Sequence, residues 1–270
     1  MSILIPILAV TVIGLICAVM LVTASKLMAV PENETFKSIR ACLPGANCGA
    51  CGYAGCDGYA HALADGSAPA TNLCTPGADA AAAAIAGILG VEAQDVVEKV
   101  AYVSCCGDSR CTSLQFDYRG ISSCTAANLL FSGDGLCSHG CLGYGDCAAV
   151  CPNNAICIED GLARIIPSLC VGCGLCASAC PNGLIHIVPD SVHTIVRCSN
   201  TDKGAITRKA CSKGCIGCKK CERECPNGAI TVVNNCAVID YDKCMDCGHC
   251  AEICTTGAIV QLDLRNRTRL

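Results

Sequence analysis

The chain has 270 residues and contains 30 cysteines, three Phe, six Tyr and no Trp. So few aromatic side chains exclude an ordinary aromatic-rich core, which leaves disulfides or metal centres as the candidates for stabilising the fold. The formal net charge of -4 and the lack of a Lys/Arg cluster exclude an electrostatic surface for nucleic acid.

The amino-terminal segment, residues 3–24, carries no charged side chain and is rich in Ile, Leu, Val and Ala. As a helix rising about 1.5 Å per residue, it is about 33 Å long, which is enough to cross a bilayer. No positive charge precedes it, which disfavours a cleaved signal peptide. Basic residues follow it, so the positive-inside rule predicts a single-pass anchor in residues 1–30, with the rest of the chain in the cytoplasm. These basic residues are Lys26, Lys37 and Arg40.

A glycine-rich loop follows, reading Cys48-Gly-Ala-Cys51-Gly-Tyr-Ala-Gly-Cys56, with Cys74 at a distance. Three close thiolates on a loop that can fold tightly, and a fourth further along, are typical of a self-contained 4Fe-4S site. We therefore predict an N-terminal 4Fe-4S domain over residues 31–90. Cys42 lies just outside the loop and is predicted not to bind the cluster.

Residues 91–136 are predicted to connect this domain to the next. They begin with a polar helix that runs into an apolar stretch, together residues 91–103, and continue through loops. Four cysteines lie here at irregular spacing, so the sequence leaves two alternatives open: a further cluster, or ordinary thiols. They are Cys105, Cys106, Cys111 and Cys124.

The remaining cysteines form a pattern that occurs twice, 74 residues apart. The matching pairs are Cys137/Cys211, Cys141/Cys215, Cys147/Cys221, Cys151/Cys225, Cys170/Cys244, Cys173/Cys247, Cys176/Cys250 and Cys180/Cys254. Cys198 also lies 74 residues after Cys124. So many matches at one spacing indicate two tandem copies of one cysteine-rich unit.

The chemistry of this unit follows from the run Cys170-Val-Gly-Cys173-Gly-Leu-Cys176-Ala-Ser-Ala-Cys180-Pro. This is the bacterial spacing for 4Fe-4S clusters, in which three close thiolates hold one cluster and the cysteine before the proline holds its neighbour. A zinc-stabilised scaffold is the alternative, but zinc takes its thiolates as two separated pairs. Disulfides are disfavoured because cysteines this close on tight turns converge on a shared centre.

The crossed-ligand rule predicts two clusters in each unit. Tyr144 stands where the second unit has Cys218, so Cys137 is taken as the third close ligand of the first unit, and Cys211 is left as a spare or alternative ligand. The predicted sets are Cys137, Cys141, Cys147 and Cys180; Cys151, Cys170, Cys173 and Cys176; Cys215, Cys218, Cys221 and Cys254; and Cys225, Cys244, Cys247 and Cys250. With the N-terminal site these make at least five 4Fe-4S clusters. A sixth would draw on Cys105, Cys106, Cys111, Cys124, Cys198 and Cys211.

Short β-type stretches lie between the cysteine groups. Residues 155–158 with 162–166, and 229–233 with 237–241, predict hairpins across polar turns, and residues 185–188 and 259–262 predict terminal strands. The predicted fold class is α+β: one N-terminal transmembrane helix, a small iron-sulfur domain, and two tandem bacterial-type ferredoxin-like units at 137–190 and 191–270. The five histidines match no ligand position and are predicted to be surface or core residues.

The sequence contains no glycine fingerprint for a dinucleotide, no phosphate-binding loop and no nucleophile beside a base. Full cysteine ligation also leaves no open iron for a substrate. We therefore predict electron transfer, in which each cluster accepts one electron and the protein keeps the clusters close and sets their potentials.

The order of these parts resembles the B subunit of the Rnf complex, the ion-translocating ferredoxin:NAD oxidoreductase. The resemblance rests on the uncharged amino-terminal segment, the Cys48 to Cys56 loop with Cys74, and the ferredoxin units, and it covers essentially the whole chain. It implies that the chain takes electrons from soluble reduced ferredoxin and passes them into a membrane complex that moves Na+ or H+, with NAD and flavins bound on the other subunits. The alternative is a membrane-associated polyferredoxin that serves a hydrogenase or a corrinoid iron-sulfur enzyme, where loops like that at Cys48 also occur.

Overall fold

The computed structural model describes residues 4–27 and 34–262. The helices, in chain order, are α1 (Leu4–Leu27), α2 (Glu34–Cys42), α3 (Gly55–Ala64), α4 (Ala78–Leu89), α5 (Cys124–Asn128), α6 (Asp146–Ala149), α7 (Leu175–Ala179), α8 (Gly204–Ala210), α9 (Lys220–Glu224) and α10 (His249–Glu252). The strands are β1 (Lys99–Val103), β2 (Ile156–Glu159), β3 (Leu162–Ile165), β4 (Ile185–Pro189), β5 (Thr194–Val196), β6 (Ile230–Val233), β7 (Cys236–Ile239) and β8 (Ile259–Gln261). A 3₁₀ turn, Pro167–Leu169, leads into Cys170.

The apolar amino-terminal segment folds as the helix α1. Its large side chains are exposed to solvent, for example Leu15 at 70% and Leu21 at 71%. Within residues 4–27 and 34–262, no helix combines the length and the apolarity that a membrane crossing requires. The membrane span predicted for residues 1–30 is therefore not confirmed.

The N-terminal domain is a small helical unit in which α2, α3 and α4 surround one apolar core. Ile39, Tyr59 and Ile85 are almost completely buried at its centre, one from each helix. The hydroxyl of Tyr59 donates a hydrogen bond to the carbonyl of Ala70 at 2.9 Å, so its buried polar atom is satisfied. This packing fixes α3, which begins within the cysteine loop, against the rest of the domain.

Both predicted hairpins are confirmed. β2 pairs antiparallel with β3, Ile156 opposite Ile165, and β6 pairs in the same way with β7, Ile230 opposite Ile239. The two turn residues of each hairpin have positive φ: Asp160 and Gly161 in the first, Asn234 and Asn235 in the second. Two-residue turns with both φ positive match the right-handed twist of the strands, and Asn, Asp and Gly are the residues that adopt them most readily.

The two terminal strands are also present, but their partners were not predicted. β4 pairs with β1, with Val103 opposite Ile185, and β8 pairs with β5, with Val196 opposite Ile259. The polar helix predicted for the first part of residues 91–103 is wrong, because residues 91–98 are irregular, and the apolar stretch that follows lies in β1. β1 completes the first unit, so the predicted boundary at residue 137 leaves out one of its strands.

The two ferredoxin-like units pack against each other through a small shared core. Val100 and Tyr102 of β1, Val188 of β4 and Ile195 of β5 are buried there. The hydroxyl of Tyr102 faces that of Tyr241 in the second unit at 3.5 Å. Strands of both units thus meet at one apolar interface.

Candidate iron-sulfur centres

The N-terminal site, named site N here, contains the four predicted cysteines Cys48, Cys51, Cys56 and Cys74. The loop reaches this geometry through three glycines with positive φ, at 49, 52 and 55. Cys56 stands in the first turn of α3, where its N-H donates to the Asn47 side-chain oxygen at 2.9 Å. Burial raises the pKa of Cys74, and the nearby Cys56, Cys51 and Cys48 raise it further, because all four thiols lie close together.

Site 1b of the first unit contains the predicted set Cys151, Cys170, Cys173 and Cys176. These four line a cavity of about 360 Å³ whose other walls are mainly apolar, from β1, β2, β3 and β4. Backbone N-H groups point at the sulfurs, from Ala155 to Cys151 at 3.3 Å and from Ala101 to Cys170 at 3.4 Å. Such hydrogen bonds favour the thiolate and tune the potential of a bound cluster.

Site 1a of the first unit differs from the prediction at one position. Cys124, Cys141, Cys147 and Cys180 line a second cavity of about 360 Å³, and Cys137 is not among its walls. The geometry therefore favours Cys124 as the fourth donor in place of Cys137. Burial raises the pKa of Cys147 to about 12, followed by the effects of Cys141, Cys124 and Cys180, the three cysteines that share the cavity.

A carboxylate explains how Cys124, at the start of α5, is held beside this cavity. Asp146, the first residue of α6, accepts hydrogen bonds from the N-H of Cys124 at 3.0 Å and of Thr125 at 2.9 Å, and from the hydroxyl of Ser123 at 2.8 Å. These bonds join the start of α5 to the start of α6, next to Cys147. The second copy has Lys220 at the position of Asp146, 74 residues on, so it lacks this attachment.

The second unit contains both of its predicted sets. In site 2b, Cys225, Cys244, Cys247 and Cys250 line a cavity of about 420 Å³. The cysteines predicted for site 2a, Cys215, Cys218, Cys221 and Cys254, lie close together: burial raises the pKa of Cys221 to about 11, and the other three raise it further. Proton release must therefore accompany iron binding at these sites, because only thiolates bind iron.

Other residues lie outside these five sites. Cys42 donates its thiol hydrogen to the Ser38 carbonyl, and Cys111 bonds to Asp108. His61 stacks on Phe36, as a non-ligand histidine can. His139 and His249 line cavities, which the sequence did not predict. Cys105, Cys106, Cys137, Cys198 and Cys211 gather elsewhere, around a separate cavity.

The donor sets suit clusters rather than single ions. Among the described residues, no three His, Cys, Asp or Glu side chains lie close enough together to hold one metal ion. A 4Fe-4S cluster does not require such convergence, because each of its four irons takes a separate thiolate. Four cysteines around an apolar cavity, with backbone N-H groups aimed at sulfur, fit that demand.

Three family matches cover the same parts of the chain. Residues 43–76, which contain site N, match the family described as "Putative Fe-S cluster". Residues 163–186 match the 4Fe-4S binding domain, and residues 214–258 match the 4Fe-4S dicluster domain.

Curated relatives match along almost the whole chain. The B subunit of the Na+-translocating ferredoxin:NAD+ oxidoreductase complex of Acetobacterium woodii is 44% identical over 96% of this chain and 78% of its own length. The B subunit of the proton-translocating ferredoxin:NAD+ oxidoreductase complex of Clostridium ljungdahlii is 43% identical over 92% of this chain and 89% of its own length. The B subunit of the ion-translocating oxidoreductase complex of Methanosarcina acetivorans is 41% identical over 92% of this chain and 94% of its own length.

The fold and its cysteine sites define a 4Fe-4S protein with several centres and ferredoxin-like domains. Within that class, the similarity over more than three quarters of the length of each of these relatives is decisive. The chain belongs to the family of B subunits of the ion-translocating oxidoreductase complexes, the Rnf complexes.

Proposed function

We propose that this chain is the electron-transfer subunit of an ion-translocating ferredoxin:NAD oxidoreductase, taking electrons from reduced ferredoxin and relaying them towards NAD reduction on partner subunits. The observation that carries the proposal is the contiguous series of cysteine sites. Cys48 of site N lies close enough to Cys173 of site 1b to raise its pKa further, after the larger effect of burial. Sites 1a and 1b share the core of the first unit, and sites 2a and 2b share that of the second.

In this proposal, the protein's own residues bind the clusters, shield them from water and tune their reduction potentials. The cysteines hold 4Fe-4S clusters, which supply reversible one-electron chemistry. Apolar residues such as Leu184, Ile185 and Ile230 line the sites and keep water away from them. Backbone N-H groups, such as that of Leu184 on Cys180 at 3.4 Å, favour the charged sulfur.

Membrane attachment belongs to the same proposal. The exposed apolar side chains of α1 and the absence of charge in residues 3–24 support insertion as a single-pass anchor. The basic residues after the segment support a cytoplasmic location for the iron-sulfur domains. There the chain would meet soluble ferredoxin on one side and the membrane subunits that translocate Na+ or H+ on the other.

The test is direct reduction of the oxygen-free full-length chain in detergent by reduced ferredoxin. We expect the brown cluster absorbance to bleach on mixing, and oxidised ferredoxin to have no effect. Bleaching by dithionite but not by reduced ferredoxin would overturn the proposed donor while leaving the clusters themselves intact.

A further inference from the structure

A cavity at the junction of the two units has a cysteine lining of its own. Its empty space, counting the part open to solvent, is about 460 Å³, comparable to that of the cavities at sites 1a, 1b and 2b. Its lining includes Cys141, which belongs to site 1a, and five cysteines that no other site uses. These are Cys105, Cys106, Cys137, Cys198 and Cys211. We name it the junction cavity.

Strand register shows that four of these cysteines are two equivalent pairs. Cys105 follows Val103 by two residues and Cys198 follows Val196 by two, and these valines face the equivalent residues Ile185 and Ile259. The structural counterpart of Cys198 is therefore Cys105, not Cys124 as the 74-residue spacing suggests. Each repeat thus contributes one cysteine after its first strand.

The second pair has the same symmetry. Cys137 and Cys211 each precede the first ligand cysteine of their unit, Cys141 or Cys215, by four residues. Each also begins an identical turn: the N-H of Gly140 bonds to the Cys137 carbonyl at 3.1 Å, and that of Gly214 to the Cys211 carbonyl at 3.3 Å. The junction cavity is therefore lined by two donors from each repeat.

Hydrogen-bond donors are aimed at the sulfurs of all four. Cys105 accepts from the N-H of Gly107 at 3.4 Å, and Cys198 accepts from the N-H of Cys215 at 3.2 Å. The side-chain amide of Asn200 donates to Cys137 at 3.3 Å, and the backbone N-H of Lys213 bonds to Cys211. Backbone donors at sulfur also mark ligands of the other sites, for example Asp246 N-H on Cys244 at 3.4 Å.

The remaining two candidates, Cys106 in the lining and Cys111 outside it, make different hydrogen bonds. Cys106 acts as a hydrogen-bond donor, with its thiol on the Lys213 carbonyl at 3.5 Å. Cys111 bonds to the Asp108 carboxylate. In this arrangement the Cys106 thiol is a donor, whereas the sulfurs of the other four cysteines are acceptors.

We propose that Cys105, Cys137, Cys198 and Cys211 hold a sixth 4Fe-4S cluster that connects the two ferredoxin-like units; this rests on the relay function proposed above. The cavity adjoins site 1a, since both have Gly140 and Cys141 in their walls. On the other side, the hydrogen bond from Cys215 to Cys198 links it to site 2a. An electron that reaches one unit therefore crosses to the other through this centre.

The test compares two double variants of the oxygen-free full-length chain by iron and sulfide content. We expect about 24 irons in the wild type and about 20 in Cys137→Ala/Cys211→Ala, at four per cluster. The matched control, Cys106→Ala/Cys111→Ala, keeps about 24. A wild type with about 20 irons, or equal losses in the two variants, overturns the assignment.

A second readout separates this proposal from the ferredoxin proposal and covers a variant that fails to fold. Cys137→Ser replaces one sulfur by oxygen, so we expect the iron content to be retained and the reduction potential of one cluster alone to move. Dithionite titration measures this without ferredoxin. Unchanged potentials of every cluster in Cys137→Ser would show that Cys137 is not a ligand and would overturn the proposal.

Discussion

Cys124 shows how one side chain can matter for a metal site although the spacing of the sequence does not assign it to that site. It is the first residue of the short helix α5, and the Asp146 carboxylate, which accepts a hydrogen bond from the Cys124 N-H, holds it beside site 1a. The sequence does show that the first unit lacks one close ligand, because Tyr144 stands where the second unit has a cysteine. Which cysteine replaces it depends on a contact 22 residues away, which no local spacing encodes.

The two candidate ligands can be separated by counting iron. We expect Cys124→Ala to lose about four irons, because site 1a loses one of its four donors. If Cys137 serves the junction cavity instead, Cys124→Ala/Cys137→Ala loses about eight, at four per cluster. A double variant that loses only about four would place both cysteines at one site. Cys42→Ala, outside every site, is the control.

Glycine 172 offers a prediction based on crowding. Gly172 and Gly183 have nearly the same positive φ, 65° and 62°. A Cβ at Gly172 would lie 2.5 Å from the Lys99 carbonyl oxygen, whereas Gly183 has nothing within 4 Å. We expect Gly183→Ala to cost about 1–2 kcal/mol for the left-handed backbone alone. Gly172→Ala should lower the midpoint of thermal unfolding further than Gly183→Ala does, because the added Cβ also meets the Lys99 carbonyl, and it should loosen site 1b. Equal midpoints would contradict the packing of β1 on this loop.

His186 predicts a pH dependence of stability. Burial lowers the pKa of His186 below its ordinary value of about 6.5, beside Tyr102 and the Ser104 hydroxyl. Because the folded pKa lies below the unfolded one, this stabilising contribution is complete above pH about 6.5 and is lost as the pH falls through the folded pKa. Lowering the pH from about 7.5 to about 5.5 should therefore reduce the free energy of unfolding less in His186→Gln than in the wild type. The exposed His61→Gln is the control, and identical slopes in all three proteins would refute the prediction.

At the scale of elements, the sequence predicts what is local. The hairpins follow from short apolar runs around Glu-Asp-Gly and Asn-Asn turns, which specify their own pairing. The partners of β4 and β8 could not be predicted in this way, because β1 lies more than 80 residues before β4. The available signal was the run Lys-Val-Ala-Tyr-Val, which contains the strand-favouring residues Val and Tyr. A cysteine follows it two residues on, as Cys198 follows Thr-Ile-Val. Cys105 and Cys198 are not related by the 74-residue spacing of the other cysteines, so the repeat did not reveal this similarity.

The helix α1 carries the prediction about the membrane. We expect the full-length chain to sediment with liposomes and to need detergent, because α1 exposes large apolar side chains between Ile7 and Val22. A variant without residues 1–27 should stay in the supernatant with unchanged iron content. Equal partitioning of the two proteins would contradict the anchor, and would favour the alternative of a polyferredoxin that acts without it.

On the scale of the whole molecule, the cysteine sites replace the large core that the composition cannot provide. Each unit buries only a few aliphatic residues, such as Leu162 and Leu184 in the first and Ile230 and Ile259 in the second, and they surround the cavities. The free energy of cluster binding is therefore part of the free energy of folding. The sequence predicted this organisation because the repeated cysteines are themselves the centre of the fold. It could not predict the junction between the units, which depends on how two repeats pack.

The chain is expected, above all, to store and pass single electrons through a series of clusters. Coulometric reduction of the oxygen-free full-length protein tests this most directly, because each 4Fe-4S cluster takes up one electron. We predict uptake of about five or six electrons per chain, one per cluster, with parallel loss of the brown absorbance. A chain that takes up no electrons, or only about two, would contradict a relay of this length.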